Sequence, residues 1–272
     1  MMSQPTERYV VGIDFGTLTA RAVVATVADG TEVGTAVHAY RSGVIDARLP
    51  VSGEPLPPDW ALQDPQDYVE SMGAAVRGAV ADARIDAADV VGVATDFTAC
   101  TILPTLDDGT PLCQLAEFKD RPHAYAKLWK HHAAQPQADR INALAARRGE
   151  PWLARYGGLI SSEWEYAKGL ELLAGDPEIY ATMDRWVEAA DWIVWKLCGQ
   201  YLRKGGAVLV EGRLQMREWS TPQGQKGSRL EIRGEMVHFL ERRPAGALPQ
   251  GAGDPAAKGG PHRPRDPGDR FW

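Results

Sequence analysis

A chain of 272 residues with 44% hydrophobic content can bury the core of one large domain or two small ones. It holds no run of about 18 apolar residues, so no membrane span is expected, and its opening MMSQPTERYV lacks the basic-then-apolar order of a secretory signal. Charge divides along the chain: residues 1–200 carry −11 (17 Lys and Arg against 28 Asp and Glu) and residues 201–272 carry +5 (13 against 8), giving the net −6. The acidic part disfavours non-specific contact with nucleic acid, while the basic part permits it.

Tyr9 to Phe15 is a short apolar run, broken at Gly16 to Thr19 and resumed from Arg21 to Val27 with β-branched residues. Ala28-Asp29-Gly30 turns the chain and Glu32 to Tyr40 supplies a third strand, so a three-stranded meander is predicted. A proline- and glycine-bearing loop covers 41–63. Asp64-Pro65 reads as an N-cap with proline at the first helical position, and Tyr68, Met72, Val76 and Val80 lay one apolar stripe along a helix ending near Arg84. Val90 to Thr95 and Thr101 to Leu106 are buried-type strands, the second closed by Asp107-Asp108-Gly109. Strand, helix and strand in this order predict an α/β layered domain.

Two further helices are expected within 122–148. Ser162 and Glu165 have the spacing of a capping box for a helix over 163–174. Asp184 can cap a last helix whose Val187, Ala190, Val194 and Leu197 face inward and which Gly199 ends. Beyond Tyr201 the pattern becomes alternating: Val208, Val210, Gly212, Leu214 and Met216 form one strand, and Leu230, Ile232, Val237 and Phe239 a second across Thr221-Pro222-Gln223-Gly224. From Pro244 the chain is rich in Gly and Pro and poor in apolar residues, so 244–272 is expected to be a disordered tail.

Three segments could carry chemistry. Asp14-Phe15-Gly16-Thr17-Leu18-Thr19-Ala20-Arg21 is a tight turn between strands that can hold phosphate oxygens on backbone N–H groups and hydroxyls. Asp14 could hold Mg²⁺ through water, and Arg21 adds a cation. An ordinary β-hairpin explains the same residues. Thr95-Asp96-Phe97-Thr98-Ala99-Cys100-Thr101 lies at the carboxyl end of a buried strand, where open α/β sheets bind small ligands; a capped turn is the alternative. Lys127 to His132 contains adjacent histidines, which a solvated helix face accommodates more readily than a metal. Cys100, Cys113 and Cys198 are odd in number and unclustered, which suggests neither a disulfide framework nor a zinc site and a reducing cytoplasm.

The runs YVVGIDFGTLTARAVV, DWALQDPQDYVESM, GVATDFTACTILP, FKDRPHAYAKLWKHHAAQ, YGGLISSEWEYAKGLELL and VEAADWIVWKLCG resemble the ribulokinase branch of the FGGY carbohydrate kinases, in family order, over residues 8–200. The resemblance implies an actin-like ATPase domain of ribonuclease-H-like topology, ATP and Mg²⁺ as cofactors, and ribulose phosphorylated to ribulose 5-phosphate. It implies a phosphate loop of Asp14, Gly16, Thr17, Thr19 and Arg21, Asp14 reaching Mg²⁺ through water, and a sugar floor at Asp96, Thr98 and Ala99. The family's catalytic aspartate and nucleotide domain have no counterpart in this sequence, so a truncated and inactive kinase is expected.

Residues 200–241, with Arg203, Lys204, Arg213, Arg217 and Trp219, resemble the C-terminal end of bacterial single-stranded DNA-binding protein. This implies part of an OB-fold, in which Trp219 could stack on bases beside those cations. The expected division is a kinase-type domain over 1–199, a partial OB-fold hairpin over 200–243 and the tail. The meeting of two interrupted resemblances within Gly199 to Leu202 points to a chimera.

Overall fold

In a computed structural model of the chain, residues 7–199 are described in full, and beyond them the backbone of two strands at 208–220 and 226–239. Strands β1 (Tyr9–Phe15), β2 (Thr19–Thr26) and β3 (Glu32–Ala39) form the predicted antiparallel meander. Helix α1 (Pro65–Ala83) follows a short strand β4 (Leu62–Gln63), and β5 (Val90–Phe97) then returns parallel to β1, giving the sheet order β3-β2-β1-β5. Side chains alternate across a strand, so Val11, Ile13 and Phe15 enter the core while Gly12 and Asp14 take the other face.

The start of α1 is as the sequence implies. Asp64 accepts a hydrogen bond from the Gln66 N–H at 2.9 Å, Pro65 occupies the first turn, and Arg84 closes the helix in the left-handed conformation. Tyr68, Met72 and Val76 bury against Val11, Ile13, Phe15, Ala22 and Val24. The helix can lie this close because β3 presents Gly34: a Cβ there would stand 2.4 Å from the Ala83 nitrogen.

A second sheet, ordered β4-β7-β6-β8, joins β4 to β7 (Ala126–Lys127), β6 (Ile102–Thr105) and β8 (Arg185–Glu188). Around it lie α2 (Gln135–Arg148), α3 (Glu165–Gly175), α4 (Pro177–Thr182) and α5 (Ala189–Cys198). Leu49, Leu62, Leu112, Phe118, Leu172 and Ile179 form a second core beside this sheet.

Several local expectations are corrected. In place of two helices over 122–148 there is a 3₁₀ turn at Pro122–Ala124, then β7, then α2 alone. Ser162 and Glu165 do not form a capping box, because α3 begins after Trp164 and has no side-chain cap. Asp184 accepts from the Asp107 N–H instead of capping a helix, since residues 185–188 pair with β6 as a strand. The buried residues of α5 are Ala189, Trp192, Ile193 and Trp195; of the predicted set, Val187 is buried from β8 and Leu197 packs partly buried against the same core.

Beyond Gly199, strands β9 (Val208–Ser220) and β10 (Lys226–Phe239) form an antiparallel hairpin with an irregularity between Gly234 and Met236. Arg203, Lys204 and the predicted disordered tail lie outside the described residues. Among the described residues no helix is long and apolar enough to cross a membrane.

Candidate functional site

The parallel pairing of β1 with β5 places Asp14 opposite Asp96 at the carboxyl ends of both strands. Antiparallel pairing with β2 sets Arg21 opposite Asp14, with Nη2 at 2.5 Å from Oδ2. Both side chains of this pair are about half exposed, so it adds little stability and stays within reach of a ligand. One backbone step away, Phe15 stacks on Phe97 at 5.0 Å and meets Tyr68 edge-on, which braces the two strand ends from beneath. The acidic and basic groups therefore stand on an aromatic floor.

The turn after β1 is held on several sides. The Gly16 N–H is committed to the Thr19 carbonyl at 2.9 Å, so it closes the turn instead of facing outward as the sequence suggested. The buried Gln63 donates from Nε2 to the Thr17 carbonyl at 2.7 Å and accepts from the Tyr68 hydroxyl at 2.6 Å. Trp129 donates from Nε1 to Thr17 Oγ1 at 3.2 Å. The loop after β5 joins the same place: the Thr98 N–H donates to the Phe15 carbonyl at 3.2 Å, Ala99 is exposed beyond it, and Cys100 takes φ 62°.

All eight residues singled out in the first two hundred thus gather at one end of the first sheet. Asp14, Arg21 and Asp96 share its open face, where a groove of about 420 Å³ also takes in Gly12, Val23 and Ala94. Gly16, Thr17 and Thr19 form the adjoining turn, with Thr98 and Ala99 in the next loop.

Four residues that support this region carried no clear sequence signal: Gln63, Trp129, Lys168 and Glu171. Lys168 is fully buried on α3 and donates to the Cys100 and Leu128 carbonyls at 2.6 and 2.8 Å. Burial draws its pKa down to about 8. Of the expected solvated face at 127–132, Trp129 and His132 are exposed, but Lys127, Leu128 and His131 are buried. Lys127 and His131 are inaccessible, with Lys127 Nζ at 3.1 Å and His131 Nε2 at 2.9 Å from Glu171 Oε2. His131 Nδ1 accepts from the Ala61 N–H, so its proton sits on Nε2 and is donated to Glu171.

Burial alone would raise the Glu171 pKa, but Lys127 and His131 overcome it and hold the carboxyl at about 2. Burial also lowers Lys127, against the pull of Glu171, and lowers His131 to about 4 and the neighbouring His123 to about 3. The Lys127–Glu171 contact is an ion pair without an aligned hydrogen bond, because Nζ lacks a partner of good geometry.

The chain is similar in sequence to ribulokinases and in fold to sugar kinases. The ribulokinase of Mycolicibacterium smegmatis is 57% identical over 90% of this chain and 44% of its own length. That alignment necessarily includes residues past 200. The ribulokinases of Geobacillus thermodenitrificans and Halalkalibacterium halodurans are 50% and 41% identical over 72% and 90% of the chain. The chain spans under half the length of each of these relatives, 35–45%.

Among solved structures, a xylulose kinase from Brucella ovis has a TM-score of 0.56 at 18% identity and covers 71% of this chain and 35% of its own. A gluconate kinase from Lactobacillus acidophilus has 0.54 at 16%, covering 72% and 34%. The single-strand binding protein family matches residues 183–240, a segment that begins ahead of α5 and runs to the end of the hairpin. The chain resembles the ribulokinases of the FGGY carbohydrate kinases along most of its length and carries part of their actin-like fold, and its residues 183–240 also match the single-strand binding protein family.

Proposed function

We propose that the chain holds the sugar-side portion of a pentulose kinase site, able to bind ribulose but not to turn it over alone. The observation that carries this is the convergence of Asp14, Arg21 and Asp96 beside the Thr17 turn and the Thr98–Ala99 loop, at strand ends where α/β sheets bind ligands. The relatives described above are ribulokinases, which supports ribulose as the sugar.

In this reading Ala99, Thr98 and Asp96 receive the sugar, while Thr17, Thr19 and Arg21 face its phosphoryl donor. Asp14 is a solvent-reachable carboxylate already beside a cation, which suits an Mg²⁺ ion that keeps most of its water. Mg²⁺ with ATP would supply the transferable phosphoryl group and neutralise its charge. Phosphoryl transfer further needs a positioned base and a clamp on the γ-phosphate, and Asp14, Thr17, Thr19 and Arg21 supply only part of that set. The proposed division is a kinase-type domain through Gly199 followed by a separate hairpin segment.

A thermal melt of the full chain with L-ribulose tests the pocket, with a ligand-dependent rise in midpoint as the expected result. ADP release above background in the presence of ATP and ribulose would overturn the proposed inactivity. No shift at millimolar ribulose would remove the sugar assignment.

The match to the single-strand binding family favours a second reading, weak attachment of single-stranded DNA through Arg203, Lys204, Arg213, Arg217 and Trp219. An oligo-dT probe at about 50 mM salt decides it, since contacts to phosphate are strongest at low ionic strength.

A further inference from the structure

We propose that Lys168 is a positioning residue for the sugar floor, tying the Ala99–Cys100 bend to the Leu128–Trp129 segment and, through Trp129, to the Thr17 turn. The proposal rests on the sugar-site reading above. Lys168 projects from α3 with no accessible surface, and its ammonium donates to two carbonyl oxygens from distant parts of the chain, Cys100 at 2.6 Å and Leu128 at 2.8 Å. Neither carbonyl belongs to a helix or a strand; the Leu128 oxygen also accepts from the His131 N–H at 2.9 Å, and Lys168 is the side-chain donor common to both.

The two segments it joins are those that need fixing. Cys100 stands at φ 62°, a conformation that L residues other than glycine rarely adopt, directly after Ala99. Holding the Cys100 carbonyl fixes which way that bend faces. Leu128 precedes Trp129, whose indole N–H reaches Thr17 Oγ1 at 3.2 Å. One ammonium therefore couples the loop after β5, the end of β7 and the turn after β1. A lysine suits this role because its three donors radiate from one atom, and hydrogen bonds from an ion are the stronger kind. Keeping the ammonium under cover has a cost, visible in its pKa of about 8, against which Cys100, Glu163 and Glu188 favour the charged form and Lys127 opposes it.

The test compares the full chain with Lys168→Met, which keeps the apolar stem and removes every donor, and with Lys168→Gln, which keeps an N–H donor on a shorter arm. Amide hydrogen exchange is read by segment. The expected result is faster exchange at 98–101 and 128–130 in Lys168→Met with β1, β2 and α1 unchanged, and a partial effect in Lys168→Gln. Ribulose affinity should fall about tenfold or more in Lys168→Met, as the loss of two charge-assisted hydrogen bonds implies. Wild-type exchange at both segments overturns the proposal, as does acceleration spread evenly through the core. Loss of cooperative folding in both variants also overturns it, making Lys168 a core residue only. Unchanged ribulose affinity beside loosened segments separates Lys168 from the sugar. If the unsubstituted chain binds no ribulose, the sugar assignment fails, and the exchange pattern alone then decides whether the clamp exists.

Discussion

Trp129 donates its indole N–H to Thr17 Oγ1 at 3.2 Å, a contact between residues 112 positions apart that ties the turn after β1 to the end of β7. Thr17 is also fixed through its carbonyl by Gln63, so the turn is held by two side chains from different segments. Replacing Trp129 by Phe keeps most of the ring and removes the donor; replacing Thr17 by Val removes the acceptor. Each is expected to lower stability by about 0.5–1.5 kcal/mol, and the double variant should cost no more than either alone plus a few tenths. Urea unfolding of the four proteins measures this, and strictly additive losses would show the contact to be without energetic weight.

Acid sensitivity should set in early. His123 and His131 are buried and neutral in the folded chain, with pKa values of about 3 and 4. Once unfolded they bind a proton below about pH 6.5, so the unfolded state takes up protons that the folded state refuses. Stability therefore falls as pH drops from about 6.5 toward 4, by up to about 1.4 kcal/mol per pH unit for each histidine. Glu171 adds nothing in that upper window. Its depressed pKa of about 2 contributes stability above the usual glutamate range, lost as pH falls from there toward 2. Urea midpoints at pH 7.5, 6.5 and 5.5 should decline, and His123→Phe should remove about half of the slope below 6.5. A flat profile across those three points would contradict the assignment.

What the sequence made visible was local. Asp64-Pro65 announced α1, Tyr68, Met72 and Val76 announced its buried face, and the apolar runs of 9–40 announced the meander, because each signal lies within a few residues of the structure it specifies. The candidate residues from Asp14 to Ala99 were likewise visible as two strand ends, and the resemblance added that they belong together. Lys127, His131 and Glu171 could not be placed by such means. Their charges suggest solvent, and what buries them is a partner 40 residues away on α3 that no periodicity links to β7. Ser162 and Glu165 show the converse case: the spacing suits a capping box, but α3 starts after Trp164.

The close packing of α1 on the meander rests on absent side chains at Gly34 on β3 and at Gly78 on α1, where a Cβ would stand 2.7 Å from the Ala36 Cβ. At Gly34 a Cβ would stand 2.4 Å from the Ala83 nitrogen and 2.5 Å from the Ala79 carbonyl oxygen, both rigid backbone atoms. Gly34→Ala must therefore push the helix away from β3 and is expected to lose about 1–3 kcal/mol. Gly53→Ala, where a Cβ would meet nothing within 4 Å, tests the opposite case. Its φ of 71° still strains alanine, so its smaller loss reports conformation alone. Thermal melts of the two variants separate steric displacement from backbone strain, and equal midpoints would show that α1 yields easily.

The buried charges give a sharper case, because removing one partner should harm the fold more than removing two. Lys127 is inaccessible, lies 4.4 Å from the centre of the Trp60 ring, and has Glu171 as its ion-pair partner at 3.1 Å. Glu171→Gln leaves that buried ammonium without its ion-pair partner, with only the more distant Asp176 as an opposite charge, and should cost about 3–5 kcal/mol. His131 is not orphaned by the same change, since its Nε2–H can donate to the glutamine oxygen as it does to the carboxylate. Adding Lys127→Met to Glu171→Gln removes the stranded charge while filling much the same volume. The double variant is therefore expected to recover at least half of the loss, a pattern that a merely steric role for Glu171 cannot produce. Guanidinium unfolding of the wild type, both single variants and the double variant measures the coupling; a double variant less stable than Glu171→Gln alone would show that packing around Lys127, and not its charge, governs this core.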